Sequence, residues 1–233
     1  MFNFLGHYYP VFLQGTLQTI VISVVGIVIG TALGLFFVSL RRSKHKVFQY
    51  IARIYVSIVR GTPSMIQVML IYYGLSKMLD IPQIQFLGST LDRVIPGALA
   101  LGINSGAYSS EIFRSGLISI SKGQTEAGLS LGLSDKTTLF SIVLPQAIRN
   151  ILPALGNEFV TLIKESSVLF YIGVQEVTAQ ALGVGGTLYN FIPPLLVAAV
   201  IYFVLTFIMS QFVNLLEKRL SSKYVQSEQS GGL

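Results

Sequence analysis

Apolar residues fall in long runs divided by short charged breaks, the pattern of successive membrane-spanning helices. Thr16–Leu40 carries no charge. As a helix it would extend about 37 Å, enough to cross hydrocarbon of about 30 Å with tilt. A second, less clean run covers Pro63–Leu79, a third Val94–Phe113 and a fourth Ile151–Val174. The fifth, Phe191–Leu216, is again uncharged. The pattern predicts an all-α membrane protein of about five transmembrane helices. No second domain or internal repeat is visible. The transmembrane domain is expected over 1–220, and the Ser-, Gln- and Gly-rich segment 221–233 reads as a disordered tail.

Lys and Arg orient these runs. Met1–Gln14 has neither, whereas Arg41, Arg42, Lys44 and Lys46 follow the first run at once. Lys122, Lys136 and Arg149 follow the third run, and Lys218, Arg219 and Lys223 follow the fifth. All three basic segments fall on one side of a five-span chain, which predicts an N-terminus outside and a C-terminus in the cytoplasm. Met1–Gln14 lacks a basic n-region and no small-residue cleavage site follows, so the first run is expected to stay as a span.

Composition narrows the class. The 233 residues are 52% hydrophobic and 11% charged with mean hydropathy +0.68, too little charge for the surface of a soluble domain. The net charge of +6 sits at the ends of apolar runs rather than on one polar face, so the expected partner is the lipid bilayer and not nucleic acid. Zero Cys excludes disulfides, thiolate metal sites and cysteine nucleophiles. No G-x-x-x-x-G-K-[ST] occurs, so the chain has no phosphate cradle of the usual kind. An intramembrane enzyme finds no His/Asp set to support it.

The polar interval 119–150 is longer than a connector requires. It predicts two short helices. Glu126–Leu131 is the first, with Gly132 as the break and Ser134 or Asp135 as the next N-cap. The second runs to Leu144, where Pro145 interrupts the hydrogen-bond ladder. Small residues Ala127, Gly128 and Gly132 suit close approach by a partner's backbone. A helix pair lying on the membrane surface without a partner fits the same pattern.

Glu126-Ala127-Gly128, then Gly132, Ile142, Leu144 and Pro145, resemble the cytoplasmic E-A-A signature of permease subunits in ABC importers. The resemblance continues through Arg60-Gly61-Thr62-Pro63, Ala107-Tyr108 with Glu111 and Arg114, and Lys122-Gly123-Gln124. It extends over Leu144-Pro145-Gln146-Ala147, Asn157 and Leu162–Ser167, and points to the polar amino acid branch of that family. Gly128 stands where the family usually has Ala, and Glu165 where Asp is common. The resemblance implies a type I importer permease fold in the bacterial cytoplasmic membrane. It further implies a second permease subunit, the same chain or a related one, and an external solute-binding protein. A pair of ABC ATPase subunits would dock on Glu126–Pro145 and bind the ATP and Mg, leaving this chain without cofactor or catalysis. The implied solute is a polar L-amino acid: glutamine, cystine, glutamate or a basic amino acid.

The fourth run carries charges, and a charge facing lipid costs at least a few kcal/mol. At about 100° per residue, Asn157, Glu158, Thr161, Lys164 and Glu165 fall within an arc of roughly 120°. Such a stripe offers a zwitterion both signs of charge plus hydrogen bonds. Alternatively, Lys164 and a carboxylate neutralise each other to hold helices together. Thr62 and Pro63 open the second run, where a helix start offers N–H groups to a carboxylate. Arg60 also fits an interfacial anchor. Glu111 and Arg114 are one turn apart and read as an ion pair, and Gly183–Gly186 as a flexible outer loop. An ion-coupled secondary transporter is the alternative function, and it would ordinarily show repeat symmetry.

Overall fold

Among the described residues, three helical stretches are long and apolar enough to cross a membrane alone: Leu5–Arg41, Asp135–Ile172 and Ile192–Leu220. The structure, a computed structural model, describes residues 4–230, with side chains through Leu220. The segment 221–233, expected as a disordered tail, lies outside the residues whose side chains are described, although the backbone of α9 (Ile192–Ser230) is helical to Ser230.

The second expected span is a broken one. Helices α2 (Lys46–Gly61) and α3 (Ser64–Met78) are long and apolar enough to cross only when taken together, and they meet at a bend of 110°. With 15 residues, α3 reaches only about 22 Å and cannot cross hydrocarbon unaided. Thr62 and Pro63 both adopt extended backbone at the break. Pro63 accordingly starts α3 as its N-cap rather than continuing α2.

The third span, α4 (Leu91–Ile118), carries polar residues along its length, and packing explains how they are tolerated. Fifteen of its 28 residues are buried, among them Asn104, Ser105, Ser109 and Ser110, so protein rather than lipid surrounds it. It runs parallel to α1 (Leu5–Arg41), in step with it. Gly26 of α1 faces Leu101, Gly30 faces Ser105, and Gly34 faces Ser109. A β-carbon at position 30 would lie 2.6 Å from Ser105 Oγ, and one at 34 would lie 2.5 Å from Ser109 Cβ. Without a hydrophobic drive between helices in lipid, such small-residue stripes let backbones approach and maximise dispersion contact. Because α4 accompanies α1 through the bilayer, it crosses as well.

Return passes are made by α7 (Leu144–Glu165) and α9. The helical path of α7 tightens into a 3₁₀ segment over Ser166–Ile172 and stops at Gly173, whose φ of +80° is the left-handed conformation glycine adopts freely. Ile22, Val68, Leu101, Leu162 and Leu169 form the central core where α1, α3, α4, α7 and the 3₁₀ segment converge. Val38, Phe113, Ala147 and Ile151 close the cytoplasmic end.

One expectation is corrected here. Gly183–Gly186 do not form a loop; they belong to α8 (Val177–Thr187). Glu176, fully buried, caps that helix by accepting from the backbone N–H groups of Thr178 (2.9 Å) and Ala179 (2.8 Å) and from the Tyr202 hydroxyl. A β-carbon at Gly185 would sit 2.6 Å from Phe191 Cδ1, so this glycine is used for contact rather than for flexibility.

Candidate functional site

The interval between α4 and α7 is a braced structure. Helix α5 (Lys122–Ser130) starts under the Ser121 side chain, which accepts from Gly123 N–H. It ends in a left-handed turn at Gly132, with φ of +79°. There Gly132 N–H donates to Leu129 C=O and Leu133 N–H to Gly128 C=O, satisfying carbonyls that the helix end would leave open. Ser134 then caps α6 (Asp135–Thr138) by accepting from Thr137 N–H at 3.2 Å. The break at Gly132 and the cap at Ser134 are where the sequence puts them.

Pro145 does not end the second helix. A π-turn over Leu139–Val143 links α6 directly to α7, and Pro145 occupies the first turn of α7. The proline nitrogen has no proton to give, and it falls where the ladder is changing from i−5 to i−4 bonds, so little is lost.

Gly128 is buried against its own chain rather than turned to a partner. A β-carbon there would meet Thr138 Cγ2 at 2.8 Å and Ile142 Cδ1 at 3.1 Å. The fixed gap between Gly128 and Ile142 is therefore a packing distance between α5 and the π-turn. Gln146 Nε2 adds bonds to Ile142 C=O (2.9 Å) and Gln124 Oε1 (3.3 Å), and Asn150 Nδ2 reaches Ser119 Oγ at 2.8 Å. Glu126 and Ala127 are exposed, as are Leu129, Leu131 (81%) and Phe140 (64%). The outward face of this polar segment is thus apolar at several points.

On the membrane side, the break between α2 and α3 is knitted by amides. Gln67 Nε2 donates to Val59 C=O (2.7 Å) and to the hydroxyl of Thr62 (2.8 Å), and Asn104 Nδ2 donates to Gln67 Oε1 at 3.0 Å. Thr62 Oγ1 also donates to Ile58 C=O. The Arg60 guanidinium lies 5.3 Å from the ring centre of Tyr108, within cation–π range. Between the end of α2, α4 and α7 lies a cavity of about 400 Å³ whose polar lining includes Arg60, Tyr108, Glu111, Asn150 and Glu158. A neighbouring cavity of about 610 Å³ shares Arg60, Tyr108 and Glu111 and adds Arg41, Arg53 and Ser57.

Of the expected stripe on α7, Glu158 alone lines the cavity. Asn157 and Lys164 are exposed, Glu165 is half-buried, and the Thr161 hydroxyl bonds Asn157 C=O within the helix. Among the described residues Lys164 makes no ion pair within 4 Å, so the helix-stapling alternative finds no geometry here. The Glu111–Arg114 pair is present, with Arg114 Nη2 2.7 Å from the carboxylate. Arg41 at the end of α1 joins it from the other side. Gln67 and Asn104 were not singled out from sequence, and Tyr108 entered only as part of the family resemblance. Polar side chains inside spans are the signal that marks Gln67 and Asn104.

Comparison with known proteins agrees with this architecture. Residues 26–222 match the family model described as binding-protein-dependent transport system inner membrane component. The chain is 38% identical to the arginine transport system permease protein ArtQ of Bacillus subtilis, over 91% of this chain and 94% of that protein. It is 33% identical to the putative glutamine transport system permease protein GlnP of Rickettsia felis, over 94% and 99% respectively. Among solved structures, an amino acid ABC transporter crystallised with histidines superposes at a TM-score of 0.85 with 36% identity, covering 94% of this chain and 99% of that one. The inward-facing methionine transporter MetNI, at TM-score 0.66 and 17% identity, shares the fold.

Proposed function

We propose, for a chain that belongs to the family of binding-protein-dependent transport system inner membrane components, that the cavity lined by Arg60, Glu111 and Glu158 is the passage for a polar L-amino acid. The protein is a multi-pass permease subunit of an amino acid ABC importer in the cytoplasmic membrane. The finer reading concerns solute, path and drive.

The observation that carries it is the broken α2–α3 crossing, which opens beside that cavity. Irregular backbone at membrane depth persists only where protein or water covers it, and discontinuous helices commonly border solute sites. Here the Arg60 cation and the Glu158 carboxylate line one cavity, matching the carboxylate and ammonium of a zwitterion, while Glu111 is held by Arg41 and Arg114. Thr62 serves this site through Gln67, which it shares with Asn104. Asn157, Thr161, Lys164 and Glu165 continue the polar face of α7 toward a second permease subunit, of the same or a related chain. The names of relatives span arginine, glutamine and L-cystine, which supports a polar solute without choosing one.

In this reading a separate ATPase pair, carrying the ATP and Mg, docks on the exposed face of α5 and drives alternation. Glu126, Ala127 and Leu131 form the contact; Gly128, Gly132, Ile142, Leu144 and Pro145 hold the segment rigid so that displacement reaches α7 undamped. An external binding protein delivers the solute. Vesicles reconstituted with the permease, its ATPase and binding protein should accumulate labelled amino acid when ATP is enclosed with the ATPase, and not under a proton or sodium gradient alone. Uptake that follows a gradient and ignores ATP would overturn the reading.

A further inference from the structure

We infer that the open cytoplasmic cavity bordered by the ends of α1 and α4 and by α5–α6 is a binding site for the phosphate headgroup of an anionic phospholipid. This cavity, about 870 Å³, is distinct in its lining from the proposed solute passage, sharing only Arg41 and Arg53 with the neighbouring one.

Its charge is one-sided. Arg42, Arg53, Lys122 and Lys136 line it with Arg41 and Arg114, against the single carboxylate of Asp135. Arg41 and Arg114 are already committed to Glu111 just behind the wall. Arg53 has a long bond to Gln49 Oε1, at 3.4 Å. Among the described residues, no ion pair within 4 Å engages Arg42, Lys122, Lys136 or Asp135. Cations crowded without counter-charge repel one another, and a phosphate accepting several N–H bonds relieves that repulsion.

The rest of the wall says which phosphate. Val38, Leu117, Ile118, Ile120, Leu139 and Val143 make the remainder apolar apart from Thr125. A free inorganic or sugar phosphate has no use for that surface, whereas the glycerol and first acyl carbons of a phospholipid do. The cavity also sits where α1 leaves the membrane, at Arg41 and Arg42, the depth of the inner headgroup layer. Basic pockets at that level are a recurring form of anionic-lipid recognition. Since Lys122, Asp135 and Lys136 belong to the segment between α4 and α7, the lipid would tie that segment to the helix ends.

The test uses the purified full-length chain in neutral detergent with dansyl-labelled phosphatidylglycerol, followed by anisotropy. Two triple variants remove equal charge: R42Q/K122Q/K136Q in the cavity, and K44Q/K46Q/K218Q outside it. The cavity variant should bind at least tenfold more weakly and the control within twofold of the parent. Unlabelled phosphatidylglycerol should displace the probe, while phosphatidylcholine and millimolar glycerol 1-phosphate should not. Equal losses in both triples would reduce the effect to general surface charge and overturn the site. Displacement by glycerol 1-phosphate as effective as by the lipid would overturn the lipid assignment in favour of a soluble anion. If the cavity triple fails to fold, K136Q alone, at an exposed position, carries the same comparison against K46Q with an expected loss of about threefold.

Discussion

Gly30 of α1 and Ser105 of α4 stand so close that a β-carbon on the glycine would lie 2.6 Å from the serine hydroxyl. Seventy-five positions apart in sequence, they mark the midpoint of the parallel α1–α4 contact, the most extensive helix pairing in the molecule. The seam rests on the absence of side chains, which makes it sensitive to any added atom.

Gly30→Val should therefore force α1 and α4 apart and destabilise the fold by about 1–3 kcal/mol, the usual cost of overpacking. Thermal melting in detergent reads this as a lowered Tm. Gly74→Ala, at a glycine with nothing within 4 Å of its would-be β-carbon, is the control and should leave Tm unchanged or slightly raised. Equal behaviour of the two variants would contradict the close-packed seam.

Gly132→Ala tests the turn that ends α5. The position has open space around it but a φ of +79°, so the penalty is backbone strain alone, about 1–2 kcal/mol. Because the strain falls in the segment proposed to meet the ATPase, ATP hydrolysis should persist while uptake per ATP drops. Gly132→Asn, which tolerates the left-handed region, should recover most of the coupling. Failure of Asn to outperform Ala would remove the conformational explanation.

Glu126→Lys leaves the internal bracing of the segment untouched, since the Glu126 side chain is exposed and makes no bond within it. Membrane insertion and melting should stay at parent values while ATP-driven uptake falls at least tenfold. Normal uptake by this variant would detach the outward face of α5 from coupling.

Glu158→Gln should lower uptake at least tenfold with little change in Tm, because the carboxylate lines a cavity rather than a packed core. Arg60→Gln should act similarly. If both variants transport normally, the solute does not pass between α2, α4 and α7.

Glu176→Ala makes a contrasting prediction, a structural one. It would strand the N–H groups of Thr178 and Ala179 and the hydroxyl of Tyr202 inside the protein, at a cost of about 2–4 kcal/mol. Melting should reveal the loss directly, and Glu176→Gln, which keeps an acceptor, should lose less.

Much of the coupling segment was legible because its signals are local. Ser134 caps within three residues, and Gly132 breaks a helix through its own φ, so neither needs a distant partner to be recognised. Pro145 misled, since a proline at the first turn of a helix and one at a helix end look alike until the π-turn before it is known. Gly128 was legible as a small residue but not in its direction. Whether a small side chain admits a partner or a neighbouring turn depends on Thr138 and Ile142, which lie ten and fourteen residues on.

By itself, the sequence established a chain that crosses the bilayer repeatedly, its orientation, and that a polar segment separates the third and fourth crossings. Those follow from transfer free energies and charge placement, which are properties of single segments. Tertiary structure alone decided that Arg41 shares Glu111 with Arg114, that the second crossing bends by 110°, and that of the α7 stripe only Glu158 reaches the cavity. Each of these depends on which helices lie side by side. Periodicity defines the faces of a helix, and only packing against its neighbours determines what each face meets.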